Sequence, residues 1–329
     1  MTTSIMRFAA AAALIMASTA AMAQQAVPQN YPVKPIALLM PFAPGPGPDL
    51  YMRPLSAKLG EQLGQTVVLE SKIGAGGALA VLQTARAAPD GYTITMVTNA
   101  NLIQPLVQPS IGYDAVAELA HIIRMNASSS ILVVPSTSQI TRVEDLVTLA
   151  KSSPGKLNYG TGGVGTPSHL NTATLQFLAG IDTVHIPFKN SNDVIPSLLR
   201  GDMQYAFQVI SFAAPYVRAG KLRVLGTTAA TRMKDFPEVP TMNEVFKNEL
   251  FVQESWTGLA VPARTPVAIV RRLFAETIKA YADATVQKGI AAGGVTPALS
   301  ESPEQHTAYV ARENEKWREI VKLSGIKPE

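Results

Sequence analysis

The sequence has no cysteine. That excludes a disulfide framework, a thiolate nucleophile and a cysteine-linked lipid anchor. Charge is scarce as well. Asp, Glu, Lys and Arg make up 16% of the 329 residues, below the roughly 25% usual for soluble chains. The formal net charge is +4, with no long run of either sign. A nucleic-acid surface needs clustered cations, so that class of partner is set aside. There are four histidines, and no two stand three or four residues apart, so the paired-histidine spacing of a helical metal site is missing. No G-x-S-x-G elbow, H-E-x-x-H or P-loop occurs. Beyond the N-terminal segment, no apolar run is long enough to span a bilayer. Neither a metal nor a cofactor is expected.

The N-terminal segment itself is informative. Arg7 is its lone charge, Phe8 to Met22 is small and apolar, and Ala21-Met22-Ala23 has the small-x-small form of a cleavage site. The pattern predicts a signal peptide over residues 1–23, cut after Ala23, with an uncleaved anchor as the alternative. The mature chain of roughly 300 residues can bury a large core and is long enough for two domains.

Apolar runs of strand length occur at Ile36–Met40, Thr66–Glu70, Tyr92–Thr98, Ile131–Pro135, Leu157–Gly160, Thr183–Pro187, Met203–Val209, Val224–Thr228 and Gly258–Val261. Helical periodicity lies between them at Leu50–Leu63, Ala78–Ala87, Val143–Ala150, Pro167–Leu178, Val194–Leu199 and Val267–Asp283. The alternation predicts an α/β fold with buried, largely parallel sheets. Ile131–Lys151 and Thr257–Lys279 echo each other: apolar strand, Val-Pro stop, polar link, amphipathic helix. They are too far apart for a solenoid repeat and read as corresponding units of two lobes. The expected division is 24–128 with 250–329 as a discontinuous first lobe, and 129–249 as the second, with the ligand cleft between them.

Two loops are candidate jaws of that cleft. Pro41 to Pro48 follows a strand and leads into a helix; Gly45 and Gly47 leave room for a ligand at their N–H groups, and Asp49 stands where an N-cap would. Capping and lining are compatible roles. In the second, Asn158 to Leu170, Gly160, Gly162 and Gly165 formally fit G-x-G-x-x-G. The dinucleotide fingerprint also wants an acid at the end of the next strand, and Asp182 precedes its strand instead, so a dinucleotide is disfavoured. What survives is an anion cradle at a helix N-terminus, with the hydroxyls of Thr161, Thr166 and Ser168; Thr166 fits the N-cap and Pro167 the first helical position. His169, in the first helical turn, is read as neutral, for hydrogen bonding or packing. Gly74, Gly76 and Gly77 suit either close packing or a cleft wall.

These motifs, in order, resemble the periplasmic solute-binding proteins of tripartite tricarboxylate transporters, the TctC or Bug family. The resemblance rests on YPVKPIALLMPFAPGPGPDL (Tyr31–Leu50), LGQTVVLESKIGAGG (Leu63–Gly77), AAPDGYTITM (Ala87–Met96), SPGKLNYGTGGVGTPSHL (Ser153–Leu170), VHIPFKN (Val184–Asn190) and AGKLRVLGTTAATRMKDFPEVPTMNE (Ala219–Glu244). It implies a two-lobed, type II-like periplasmic binding fold closing on a small carboxylate, a periplasmic location, and permease subunits or a sensor kinase as partners of a monomer. It implies no enzymatic activity and no cofactor. The implied ligand contacts are Phe42, Pro44, Gly45, Gly47 and Asp49 in the first jaw and Gly160, Thr161, Thr166, Ser168 and His169 in the second, with Asn99, Phe188, Asn190 and Gln208 beside them. Four departures matter. Pro48 stands where a hydroxyl is common. Pro46 replaces the second glycine of F-x-P-G-G-x-x-D and deletes an N–H. Ser197 stands where an aspartate is common. Gln208 follows Phe207 where an aspartate often does. Loss of that carboxylate suits an amine-free dicarboxylate, with Phe42, Phe188 and Phe207 available to flank a flat ring; Gln208 could instead satisfy hinge backbone groups. The rival from another class is an exported hydrolase or isomerase in the same cleft, with His169 and Asp49 as its candidate bases.

Overall fold

The computed structural model describes residues 30–323. The expected signal peptide, Met1 to Ala23, lies outside them. The strands are β1 (Ile36–Met40), β2 (Val67–Ser71), β3 (Thr93–Thr98), β4 (Leu119–Pro135), β5 (Asn158–Thr161), β6 (Val184–Pro187), β7 (Ala206–Val209), β8 (Leu222–Thr227), β9 (Glu254–Pro262) and β10 (Thr296–Pro297). The helices are α1 (Asp49–Leu63), α2 (Ala78–Ala85), α3 (Ala100–Val107), α4 (Val143–Ser152), α5 (Pro167–Ala179), α6 (Val194–Arg200), α7 (Ile210–Arg218), α8 (Met242–Phe246), α9 (Val267–Tyr281), α10 (Ala284–Gly293) and α11 (Pro303–Leu323).

One strand organises the molecule. β4 runs for 17 residues. Over Leu119–Ser129 it pairs with β9, which continues the order β4-β9-β3-β1-β2. From Ser130 onward it pairs instead with β7 and β8. β5 and β6 pair with each other, and a Tyr159–Tyr205 bridge brings β5 alongside the segment before β7. Two sheets thus share one continuous strand. Each is buried on both faces. On the first sheet, Ile36, Leu38, Leu55, Leu59 and Leu273 form one core and Val97, Ile103, Trp256 and Trp317 the other. On the second, Leu132, Leu175 and Phe207 occupy one face and Ile131, Ile195 and Phe212 the other. Coverage on both faces explains why the strands read as continuous apolar runs rather than alternating ones.

The sheets are mixed, not largely parallel as expected. β1 pairs in parallel with β2 and β3, but β9 runs antiparallel to both β3 and β4, and β4 antiparallel to β7 and β8. The reason is that β4 and β9 run in opposite directions side by side. The two echoed segments are these strands with their following helices, α4 and α9. The first half of β4 was missed. Its sequence, LAHIIRMNASSS, mixes polar residues and carries two register shifts against β9, which break the simple pattern.

Candidate functional site

A cleft of about 700 Å³, mouth included, opens where the strands of both sheets end. Strand ends of an α/β sheet point bare N–H groups and helix N-termini at a common space. Phe42 and Pro48 come from the β1–α1 loop, Gly76 and Gly77 from the β2–α2 loop, and Asn99 from the β3–α3 turn. Thr166 and Ser168 start α5, Lys189 to Ser191 follow β6, and Gln208, Ser211 and Phe212 lie at the β7–α7 turn. Ser128, Ser255 and Thr257, on β4 and β9, also line the space.

Among the described residues lining the cleft, Lys189 alone carries a charge. No carboxylate lines it, while eight Ser and Thr hydroxyls do. Such a wall can donate hydrogen bonds to an anion and offers no counter-charge to an ammonium group. Several buried polar atoms there bond nothing: Gln208 Nε2, Asn99 Oδ1 and Ser255 Oγ. Gln208 is 2% exposed and Asn99 1%. Buried polar atoms are nearly always paired, so these three, all facing the cleft, are available to bond a polar ligand.

The first jaw is stiffened from within. Gly45 (φ 125°) and Gly47 (φ 99°) adopt backbone conformations closed to most side chains. Asp49 does not cap α1, contrary to expectation. Pro48 occupies the cap position without a capping side chain, and Asp49 is the first helical residue. Its carboxylate turns back to accept from Gly45 N (3.1 Å) and is clamped by Arg53 Nη2 (2.7 Å). The Gly45 N–H is therefore committed to the loop itself.

The second jaw is held by hydroxyls and histidines. Thr161 is fully buried behind the cleft wall, with Oγ1 2.6 Å from His185 Nε2 and also accepting from Gly163 N. Thr166 stands at the N-cap position with Pro167 after it, as expected, but its side chain caps nothing. Oγ1 instead donates to Gly163 O at 2.7 Å and lies 3.0 Å from Ser168 Oγ. His169 Nδ1 accepts from Gly165 N (3.3 Å), and burial, helped by His185, lowers its pKa to about 4. Gly160 is a packing residue: a Cβ there would lie 2.4 Å from Met203 Sδ.

The jaws touch. Asn192 Nδ2 reaches Ala43 O (3.3 Å) and Pro44 O (3.4 Å), and Phe42 meets Phe212 edge to face at 5.3 Å. Of the residues read as contacts from sequence, Phe42, Asn99, Thr166, Ser168, Asn190 and Gln208 come together in the cleft lining. Pro44, Gly45, Gly47 and Asp49 build the first loop, while Gly160, Thr161, His169 and Phe188 stand behind the second. The aromatic flank differs from expectation. Phe207 alternates with Gln208 on β7, so its ring enters the core on the other face, fully buried. Phe212 takes its place opposite Phe42. Sequence reasoning missed Phe212, Lys189 and the hydroxyls of Ser128, Ser255 and Thr257. The Ser128-Ser129-Ser130 run ahead of an apolar strand was the available signal.

The sequence profile described as "Tripartite tricarboxylate transporter family receptor" matches residues 51–326. A protein from Cupriavidus necator, described as "UPF0065 protein in gbd 5'region", is 34% identical over 98% of this chain and 97% of its own. "Protein BugT" of Bordetella pertussis is 30% identical over 95% and 96%. Among solved structures, "R. palustris Rpa4515 with adipate" superposes with a TM-score of 0.84 at 26% identity, covering 91% of this chain and 100% of that one. "MatC (Rpa3494) from Rhodopseudomonas palustris with bound malate" gives 0.83 at 26% identity, over 88% and 100%.

Proposed function

Since this chain belongs to the tripartite tricarboxylate transporter receptor family, we propose that it captures a small, amine-free dicarboxylate for that transporter's membrane subunits. Members of the family are solute-binding receptors rather than enzymes, which removes the hydrolase or isomerase alternative. The reading rests on one observation above all: among the described residues, the cleft is lined by eight Ser and Thr hydroxyls, one lysine and no carboxylate. An ammonium group would be desolvated there without a partner, commonly at a cost of several kcal/mol. The related structures with adipate and with malate hold amine-free dicarboxylates, which supports the same class here.

In this reading Phe42 and Asn99 face Thr166, Ser168, Asn190 and Gln208 across the ligand. Gly45, Gly47 and Asp49 keep the first jaw in shape, and Gly160, Thr161, His169 and Phe188 support the second. The lobes are 24–128 with 250–329, and 129–249. The exchange of partners along β4 between Ser129 and Ser130 supports that boundary. The receptor works in the periplasm as a monomer after cleavage at Ala23. Mass spectrometry of periplasmic protein should find Gln24 first.

A thermal-shift panel tests the ligand class: adipate, malate, an aromatic dicarboxylate, a monocarboxylate, aspartate and glutamate. A ligand at 100 times its Kd adds about 2.7 kcal/mol of stability. Dicarboxylates without an amine should shift the transition and amino acids should not. Preference for aspartate or glutamate rejects the reading.

A further inference from the structure

His169 and His185 are stacked, ring centroids 4.6 Å apart and 12° from parallel. Tyr159 continues the stack at 5.0 Å, and Tyr205 lies 5.8 Å beyond it. The column joins α5, β6, β5 and the approach to β7, directly behind the loop 162–165. Each histidine grips that loop. His185 holds Thr161, whose hydroxyl meets both the N–H and the carbonyl of Gly163. His169 Nδ1 holds Gly165 N–H.

The loop is where the two lobes meet. Its backbone packs against α3 and the β2–α2 loop: a Cβ on Gly165 would lie 2.9 Å from both Gln104 Cγ and Val107 Cγ2, and one on Gly163 would lie 3.8 Å from Gly76 N. Small movements of the loop therefore alter the fit between lobes as well as the cleft wall.

The two grips respond differently to a proton. Either side can donate in the Thr161 Oγ1–His185 Nε2 contact, and when Nε2 carries a proton Thr161 Oγ1 accepts it and turns its own hydrogen to Gly163 O. That bond survives in the imidazolium form. His169 Nδ1 is an acceptor, and a proton there would face the Gly165 N–H donor head on. The imidazolium would also lie against the other histidine and at the N-terminal end of α5, where the helix dipole opposes positive charge. Tyr159 faces His185 and Tyr205 lies beyond Tyr159; among the described residues no carboxylate forms an ion pair with either ring.

We propose that His169 is a positioning residue for ligand capture: its unprotonated Nδ1 holds the second jaw in its binding shape, and protonation of the His169–His185 stack releases the jaw. The inference rests on the cleft being the ligand site. It assigns the pH dependence of capture to the protein rather than only to the ligand's own ionisation.

Calorimetric affinity for the tightest-binding carboxylate of the panel, measured from pH 7.5 to pH 4, tests it in wild type and His169→Phe. The phenyl ring keeps the stack and can neither accept from Gly165 nor be protonated. The variant should bind about five- to tenfold more weakly at pH 7.5, as expected for one lost hydrogen bond. The gap should hold to about pH 5 and narrow by about twofold at pH 4, where half of the His169 rings are protonated. Ligand protonation is common to both and cancels in the ratio. Parallel pH profiles overturn the proposal. A second measurement needs neither ligand nor variant: long-range proton–nitrogen NMR of wild type at pH 7.5. It should show His169 protonated at Nε2 alone, and a proton on Nδ1 overturns the inference. If no carboxylate binds while that tautomer is found, the ligand reading has failed and the jaw mechanism has not.

Discussion

Gln208 is buried in the cleft wall with an amide nitrogen that bonds nothing. An aspartate at this position would set a fixed negative charge against a dicarboxylate, with Lys189 as the one cation lining the space. Gln208→Asp should weaken dicarboxylate binding at neutral pH at least tenfold, since about 1.4 kcal/mol already gives that factor. Calorimetry against the wild type checks it, and an unchanged affinity contradicts the carboxylate-free account of specificity. Thr166 shows how far a sequence can be read at this scale. Its place at the head of α5 is legible from Thr-Pro-Ser-His, but the direction of its hydroxyl is not. The hydroxyl goes to Gly163 O rather than to the helix end. Thr166→Ala should therefore cost about 1 kcal/mol through the loop bond. It should also weaken binding several-fold, by loosening the jaw. Loss of stability with unchanged affinity would mean that the bond has no bearing on the site. Asp49 teaches the same lesson. A carboxylate near a helix start suits a cap, yet Arg53 one turn on and the free Gly45 N–H four residues back compete for it and win.

Elements were legible where one pattern held along the whole segment. β1 is an unbroken apolar run and is buried throughout most of its length; α1 buries Tyr51, Met52, Leu55, Leu59 and Leu63 at helical spacing. α3, α7, α8, α10 and α11 escaped. α3 and α7 are short and contain proline, and α11 alternates charge with core residues over a long span. The first half of β4 escaped because a strand shared by two sheets has no single inside face. The cleft follows from these elements, and one glycine registers their approach. A Cβ on Gly47 would lie 2.4 Å from the Phe212 ring, which belongs to α7 on the opposite side of the cleft. Gly47→Ala should weaken ligand binding by tenfold or more, because it combines a strained φ with a clash across the closed cleft. In a Phe212→Ala background the same substitution should cost clearly less. Equal costs in both backgrounds would show that only the local backbone matters.

At the scale of the whole molecule, α11 closes the outer face of the first sheet over a layer of aromatic rings and histidines. His306 is fully buried and neither ring nitrogen is bonded; His121 Nδ1 is likewise unbonded. The two rings meet at 5.4 Å, and Trp256 lies 5.5 Å from His306. Gly258 makes this possible, because a Cβ there would lie 2.6 Å from His306 Nε2. Burial lowers the pKa of His121 from 6.5 to about 4, and burial, His121 and Arg124 push that of His306 well down. Both are neutral in the native state, and an unfolded chain would take up protons below its ordinary histidine pKa. The unfolded state then binds more protons than the native one, so stability is complete above about pH 6.5 and declines as pH falls toward 4. For His121 alone the displacement corresponds to something on the order of 3 kcal/mol at the acid end. The hydrogen-bonded carboxylates, such as Asp145, which accepts from Thr141, lose their contribution only further into acid, so the window belongs to the histidines. Urea titrations at half-unit intervals from pH 7.5 to pH 4.5 should show stability falling steadily in the wild type. His306→Phe fills the same space with a ring that cannot charge. It should flatten the slope while leaving stability at pH 7.5 within about 1–2 kcal/mol, the usual range for a tolerated core exchange. An identical slope in the variant would show that His306 takes no part in the acid sensitivity of the fold.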